Sequence, residues 1–379
     1  GYTSYLLNDY NRAIKELTNS LLQNSDNYLT YYYLAKAYSK KEENKKAKES
    51  LIKSISINSK FALTHFELAK IYEMIFEDEK AINEYQLAKK YSYNSNLEMD
   101  ELNYNLGKLY YKNSNYKSAM DPLKNYIKNN LFDLETLEIL GQVLIKEERY
   151  PEAIDIYYTL LDLEYDNINY HFSIAESYYF MKDYKNAMRK YEEILLLGEK
   201  NDIILLRLGS ICNIINQFKQ ASIYLLDAIS CGNVSKDILV QLGIAYGGQM
   251  QYVQSMQAFK QALEYSLDDP IISYQLGFVY FELEIYDLAI ESFLNYSQQF
   301  DDDYLGYYFL GQSYFHLEEF DQAIKFFKLS TQYNKEHIES IYFIGNCHKN
   351  NQEYKLATQY YKLVIKENPE HDLSRAKLV

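Results

Sequence analysis

Tryptophan is absent from this 379-residue chain, proline occurs four times and cysteine three times. Cys212, Cys231 and Cys347 are too few and too scattered for a disulfide framework, and they lack the paired spacing of a zinc site. Basic residues are outnumbered, 39 Lys and Arg against 53 Asp and Glu, leaving a net charge of −14. A nucleic-acid binder draws affinity from neutralising phosphates, so this balance argues against nucleic acid as a partner. No apolar run approaches the roughly 20 residues that cross a bilayer. The longest, around Ile203 to Leu208, is cut by Arg207. No direct membrane span is therefore expected, and no secretory or lipidation signal is visible.

Apolar residues make up 47% of the sequence, enough for a core, and 43 residues are tyrosine. A fixed period organises both. A small residue recurs at Gly1, Ala35, Ala69, Gly107, Gly141, Ala175, Gly209, Gly243, Gly277, Gly311 and Gly345. The step from Gly1 to Ala35 is repeated throughout, except that the step from Ala69 to Gly107 is longer by four. A second column follows the first at a constant offset: Ala13, Ala47, Ala81, Ala119, Ala153, Ala187, Ala221, Ser255, Ala289, Ala323 and Ala357. Two small columns at constant separation predict two closely crossing helices per repeat, so the unit is a helical hairpin. Aromatic residues follow the first column by three positions, as at Tyr246, Tyr280 and Tyr314, and precede the second by three, as at Tyr252, Tyr286 and Phe320. Such spacings keep the rings on one helical face, packed between hairpins.

Proline placement fits. Pro270 after Asp269 reads as the first turn of a capped helix, Pro151 lies near the start of a second helix, and Pro369 falls in a turn. Pro122 sits inside a predicted second helix, where a kink or a late start is expected.

Leu276-Gly277 through Tyr280, followed by Tyr286 and Ala289-Ile290, makes the chain resemble the tetratricopeptide-repeat family. The resemblance covers nearly the whole chain. It implies an all-α fold, a right-handed α-solenoid (superhelix) of stacked antiparallel helical hairpins with a 34-residue repeat. In register, residues 1–27 are a partial N-terminal repeat, 28–99 hold repeats 1 and 2, 100–371 hold repeats 3 to 10, and 372–379 start a further helix or capping segment. First helices are expected to begin at Tyr28, Ala62, Asp100, Leu134, Ile168, Asp202, Lys236, Pro270, Tyr304 and Ile338. Four extra residues within Tyr93 to Met99 should lengthen a second helix or a loop and divide the array there. Both ends stop in mid-repeat, which reads as a piece of a longer protein. The sequence does not decide between cytoplasm and cell envelope or periplasm.

Catalysis needs a constellation, and the sequence offers none. There is no glycine-rich phosphate loop, and Gly247-Gly248 reads as the end of a first helix. His65, His171, His316, His337, His348 and His371 never stand three or four apart, so no metal or cofactor site is expected. Cys347 and His348 are adjacent, and neighbours on a helix point in different directions. Asp268-Asp269 and Asp301-Asp302-Asp303 lie at inter-hairpin turns and read as caps, since a calcium loop needs alternating ligands, a glycine and a closing Glu.

The resemblance assigns the concave face to the first helices. Partner-binding candidates there are Tyr32 with Lys36, Phe66 with Lys70 and Tyr104 with Lys108, then Phe172, Leu206, Tyr274, Phe278, Tyr308 and Tyr342. The aromatic–lysine pairs suit an acidic segment with apolar anchors, whereas the later apolar lining suits an amphipathic helix. The competing reading is that these rings pack between repeats. Family members that clamp a C-terminal carboxylate carry Lys in the first of these columns and Asn in the second; here the first has no lysine, and the second has only Asn346. Charge is uneven, 21 basic against 21 acidic residues through Tyr150 and 18 against 32 beyond.

These readings imply a non-enzymatic scaffold that binds extended or amphipathic helical segments of other proteins, and copies of itself. The Lys-, Asn-, Ile- and Tyr-rich composition is similar to bacterial members of motility (flagellar motor-associated), secretion or envelope machines. The alternatives are a substrate-recruiting arm of a larger enzyme and a peptide-binding chaperone adaptor.

Overall fold

The structure, a computed structural model, describes residues 1–93 and 97–377. It divides into two compact units, Gly1–Leu197 and Gly198–Val379. Every regular element among the described residues is a helix.

The first unit contains six hairpins: α1 (Tyr2–Leu6) with α2 (Tyr10–Gln23), α3 (Tyr28–Lys40) with α4 (Asn44–Ile57), α5 (Ala62–Met74) with α6 (Asp78–Lys90), α7 (Met99–Lys112) with α8 (Tyr116–Ile127), α9 (Leu134–Lys146) with α10 (Tyr150–Leu163), and α11 (Ile168–Phe180) with α12 (Tyr184–Leu196). Five more form the second unit: α13 (Asp202–Ile214) with α14 (Phe218–Ser230), α15 (Lys236–Gly248) with α16 (Tyr252–Tyr265), α17 (Pro270–Glu282) with α18 (Tyr286–Gln299), α19 (Tyr304–His316) with α20 (Phe320–Tyr333), and α21 (Ile338–Asn350) with α22 (Tyr354–Glu367); α23 (Asp372–Ala376) follows. Each hairpin packs on the next within its unit, so each unit is an α-solenoid.

Local chemistry sets the helix ends. Asn27, Asp133, Asn201, Asp269 and Asp303 each accept a hydrogen bond from a first-turn backbone N–H of the following first helix. The turn inside each hairpin is tighter. Eleven residues other than glycine have φ near +60° there, from Asn8 and Glu42 through Met250 and Glu284 to Gln352, spaced like the repeat itself. At Glu284 the backbone N–H donates to the Phe281 carbonyl at 3.0 Å, and that of Ile285 donates to the Tyr280 carbonyl at 2.9 Å. This is the left-handed cap that returns the chain for the second helix. α15 does end at Gly248, but its left-handed residue is Met250.

Apart from Gly1 at the start of the chain, both small columns are buried, the second at 0–3% exposure. Their partners were not obvious from sequence. A β-carbon on a first-column glycine would strike a large side chain on the second helix of the same hairpin: Leu123 for Gly107, Tyr157 for Gly141, Phe259 for Gly243 and Tyr361 for Gly345. The small residue is a socket for a large knob, rather than one half of a small-to-small crossing. Ser255, the odd member of the alanine column, donates from Oγ to the Gly243 carbonyl at 2.7 Å.

Pro122 does not delay its helix. α8 starts at Tyr116, runs through the proline and spans 12 residues. Within the Tyr93 to Met99 stretch that holds the four extra residues, 94–96 lie outside the described residues; the flanking α6 ends at Lys90 and α7 begins at Met99, so α6 is not lengthened.

Candidate functional site

First helices touch at α1–α3 and α7–α9 in the first unit, and α13, α15, α17 and α19 touch in succession in the second. Elements on the shorter side of a curved stack approach most closely, so the first helices line the inner side of each unit.

On the inner side of the first unit, Tyr32 and Phe66 are each 4% exposed. Tyr32 packs edge-on against Tyr33 and Phe61 with ring centroids 5.1 and 5.3 Å apart, and Phe66 lies 5.6 Å from Tyr85. These rings belong to the core, as the competing reading required. Tyr104 is half-buried. Lysines cover all three: Lys36, Lys70 and Lys108 place Nζ 5.5, 5.3 and 5.2 Å over the rings of Tyr32, Phe66 and Tyr104.

Their charge is already used. Lys36 pairs with Glu67 at 3.5 Å, Lys70 with Glu101 at 3.0 Å and Lys108 with Glu135 at 2.5 Å, each carboxylate standing on the next first helix. The Tyr104 hydroxyl donates to Glu135 at 2.9 Å. Glu135 is held below the usual carboxylate range, first by the Lys108 hydrogen bond and then by that of Tyr104. The sequence reading offered these lysines to an acidic partner; the structure gives them to the neighbouring hairpin. Phe172 is half-buried, 6.0 Å from Tyr191, whose hydroxyl donates to Glu176.

The second unit carries no lysine in that register, where Ser210, Ile244, Phe278, Gln312 and Asn346 stand instead. Here the inner side exposes apolar surface. Ile203 on α13 and Ile271 on α17 are 53% and 58% exposed. Leu206, Tyr274, Phe278 and Tyr308 are half-buried beside them. Phe309, which the columns did not single out, lies 6.3 Å from Tyr274 and 5.7 Å from Phe278. Ile271, Tyr274 and Phe278 follow helical spacing on one face of α17, and Phe309 of α19 backs them. Tyr308 accepts from Gln312 Nε2 at 2.8 Å.

Tyr342 is set apart from this surface. It is 9% exposed, with Lys377 Nζ 5.2 Å and the His371 ring 5.1 Å away. Asn346 Oδ1 accepts from the Tyr361 hydroxyl at 2.9 Å and from Lys377 at 2.7 Å.

The reactive side chains are occupied elsewhere. Cys347 is fully buried, which pushes its thiol up to about 12. His348 stands 2.5 Å from the Glu353 carboxylate and stacks on Tyr360. Among the described residues, no group of three or more His, Cys, Asp or Glu could hold a metal ion, and no helix is long and apolar enough to cross a membrane.

Known proteins share this architecture. A tetratricopeptide-repeat family model matches residues 28–61, 305–337 and 338–371, and a model of anaphase-promoting complex, cyclosome, subunit 3 matches 81–160. Tetratricopeptide repeat protein 8 of Caenorhabditis elegans is 27% identical over 154 residues, 39% of this chain and 30% of that protein. The chain thus spans under a third of that relative's length. The C-terminal part of a TPR repeat-containing protein from Cytophaga hutchinsonii superposes with a TM-score of 0.52 at 18% identity, covering 63% of this chain and 98% of that one. MamA from Desulfovibrio magneticus gives 0.43 at 20% identity over 45% of this chain and 97% of its own. With its hairpin period, its socket-and-knob columns and the family-model matches at residues 28–61, 305–337 and 338–371, the chain is built from tetratricopeptide repeats, an architecture that supports a protein-interaction scaffold.

Proposed function

We propose that the chain is a non-enzymatic member of a multiprotein assembly that holds an amphipathic helical segment of a partner along the first helices of its second unit. The carrying observation is the pair of isoleucines, Ile203 and Ile271, left 53% and 58% exposed beside half-buried Leu206, Tyr274 and Phe278. Apolar side chains at helical spacing are the anchors an amphipathic helix needs. In the first unit the aromatic–lysine pairs serve the fold, because Tyr32 and Phe66 are core rings and the three lysines are bound to Glu67, Glu101 and Glu135. Composition rich in Lys, Asn, Ile and Tyr supports a bacterial setting, and a motility, secretion or envelope machine is the assembly we favour.

The test is the double variant Ile203→Asp, Ile271→Asp. Both sites are solvent-facing, so far-ultraviolet circular dichroism should be unchanged. Proteins co-purified from the native source with the unaltered chain should be lost from the variant. An unchanged set of captured proteins would exclude this face.

A further inference from the structure

A second surface opens on the other side of the same unit. Between α16 and α18, with α17 as its floor, lies a cleft of about 790 Å³. Ser273, Ser292 and Gln299 line it. One repeat later, the same register holds Tyr307, Phe326 and Tyr333. Those three rings stack, Tyr307 on Phe326 with centroids 6.4 Å apart and on Tyr333 at 5.7 Å. Phe326 also covers Tyr314 at 5.3 Å with the planes 2° apart, and in the following repeat Tyr360 covers His348 at 5.3 Å. Tyr280 is the counterpart of Tyr314, and over it Ser292 offers no ring. Tyr224, Phe326 and Tyr360 are the aromatic residues of the Ser292 register, so the cleft is a gap relative to the two hairpins that follow it.

The surroundings are mostly acidic, with Lys236 already bound to Asp269 at 3.1 Å. Residues 237–324 hold 14 Asp and Glu against a single Lys or Arg, Lys260. Its ammonium lies 5.5 Å over the Tyr280 ring. Asp268 and Glu291 stand exposed at the cleft, and Leu263, Leu267 and Leu288 supply apolar wall. Such a site favours a cationic ligand with an apolar anchor, by steering and by desolvation together.

We propose that this cleft docks a basic segment of a partner protein, which inserts an aromatic side chain into the gap left by Ser273, Ser292 and Gln299. The anchor replaces the ring that Phe326 supplies from within the chain one repeat further on, and flanking Lys or Arg residues face Asp268 and Glu291. This surface is separate from the first-helix face proposed above.

The experiment uses the full chain and three dye-labelled, end-blocked hexapeptides: Lys-Lys-Phe-Leu-Lys-Lys, its acidic counterpart Glu-Glu-Phe-Leu-Glu-Glu, and Lys-Lys-Gly-Ser-Lys-Lys. Fluorescence anisotropy should show saturable binding of the first. It should weaken by roughly tenfold or more when salt rises from about 50 to about 500 mM, and the other two peptides should bind at least about tenfold less tightly. Ser292→Phe should reduce binding of the first peptide by roughly tenfold or more while raising thermal stability, because Phe326 shows that the register accommodates a ring. The charge reversal Asp268→Lys with Glu291→Lys, at two exposed sites, should also abolish binding, whereas the uncharged pair Ile203→Gln with Ile271→Gln should leave it unchanged. Absence of saturable binding, preference for the acidic peptide, or equal affinity for the unaltered chain and either cleft variant would overturn the proposal.

Discussion

The Phe293 ring closes directly on the backbone of Gly277: a β-carbon placed on that glycine would stand 3.0 Å from ring carbons Cδ1 and Cε1. Phe293 is fully buried, so the ring has little room to withdraw. Gly277→Leu should therefore overpack the hairpin and cost on the order of 1–3 kcal/mol. Chemical denaturation checks this, and unchanged stability would refute the socket-and-knob packing.

Phe66→Ala should destabilise the first unit rather than trim a docking surface. Phe66 is 4% exposed and packs on Tyr85, so its removal leaves a cavity costing about 3–5 kcal/mol. In a stack held by neighbour contacts the loss should centre on α5 and α6, as faster amide exchange there than elsewhere.

Met250 has φ of 60° and is 77% exposed, so its side chain contributes little packing at the turn. Left-handed backbone costs a residue with a β-carbon roughly 1–2 kcal/mol. Met250→Gly should raise stability by about 0.5–1 kcal/mol after the added entropy of the unfolded chain is deducted. A lowered melting temperature would contradict the cap geometry.

His65 should make the first unit pH-sensitive. Its ring is buried, with Nδ1 2.6 Å from Glu84 and Nε2 2.9 Å from the Ser59 carbonyl. Burial pulls its pKa down, but the Glu84 hydrogen bond, the Ser59 carbonyl and the Glu84 charge outweigh it, and the net shift is upward. A raised folded pKa stabilises fully below the unfolded value of about 6.5, and the contribution disappears as pH rises through the folded value. Melting temperature should thus fall with rising pH above about 6.5, and His65→Gln should flatten that slope. Equal slopes would remove the His65–Glu84 pair from the account.

Thiol accessibility gives a direct count. Cys231 is exposed, whereas Cys212 and Cys347 are buried at 0%. A thiol reagent should modify Cys231 in the folded chain and reach the other two only on denaturation. Fast modification of Cys347 would contradict its burial in the hairpin.

The period made the fold legible because it is written in side-chain size, and a socket tolerates only Gly or Ala at Gly277 or Ala69. Less of the candidate site was legible, because one register position can face a neighbour or solvent. Tyr32 and Tyr274 share a column, yet Tyr32 is sealed by Tyr33 and Phe61 while Tyr274 stays half-buried. What separates them lies on other helices. Lys36, Lys70 and Lys108 looked available because their acceptors, Glu67, Glu101 and Glu135, stand on the next hairpin, nearly a whole repeat further along the sequence. The Phe293 and Phe327 knobs could have been found by reading the repeat columns at every offset. The left-handed turns could not, since Glu, Phe, Ser, Lys, Met and Gln all occupy them.

Those turns separate durability from recognition. They recur once per hairpin, and none of them is among the inner-face residues named above or in the lining of the α16–α18 cleft. Substitutions there can harden or soften the protein in small independent steps while every surface offered to another molecule keeps its shape.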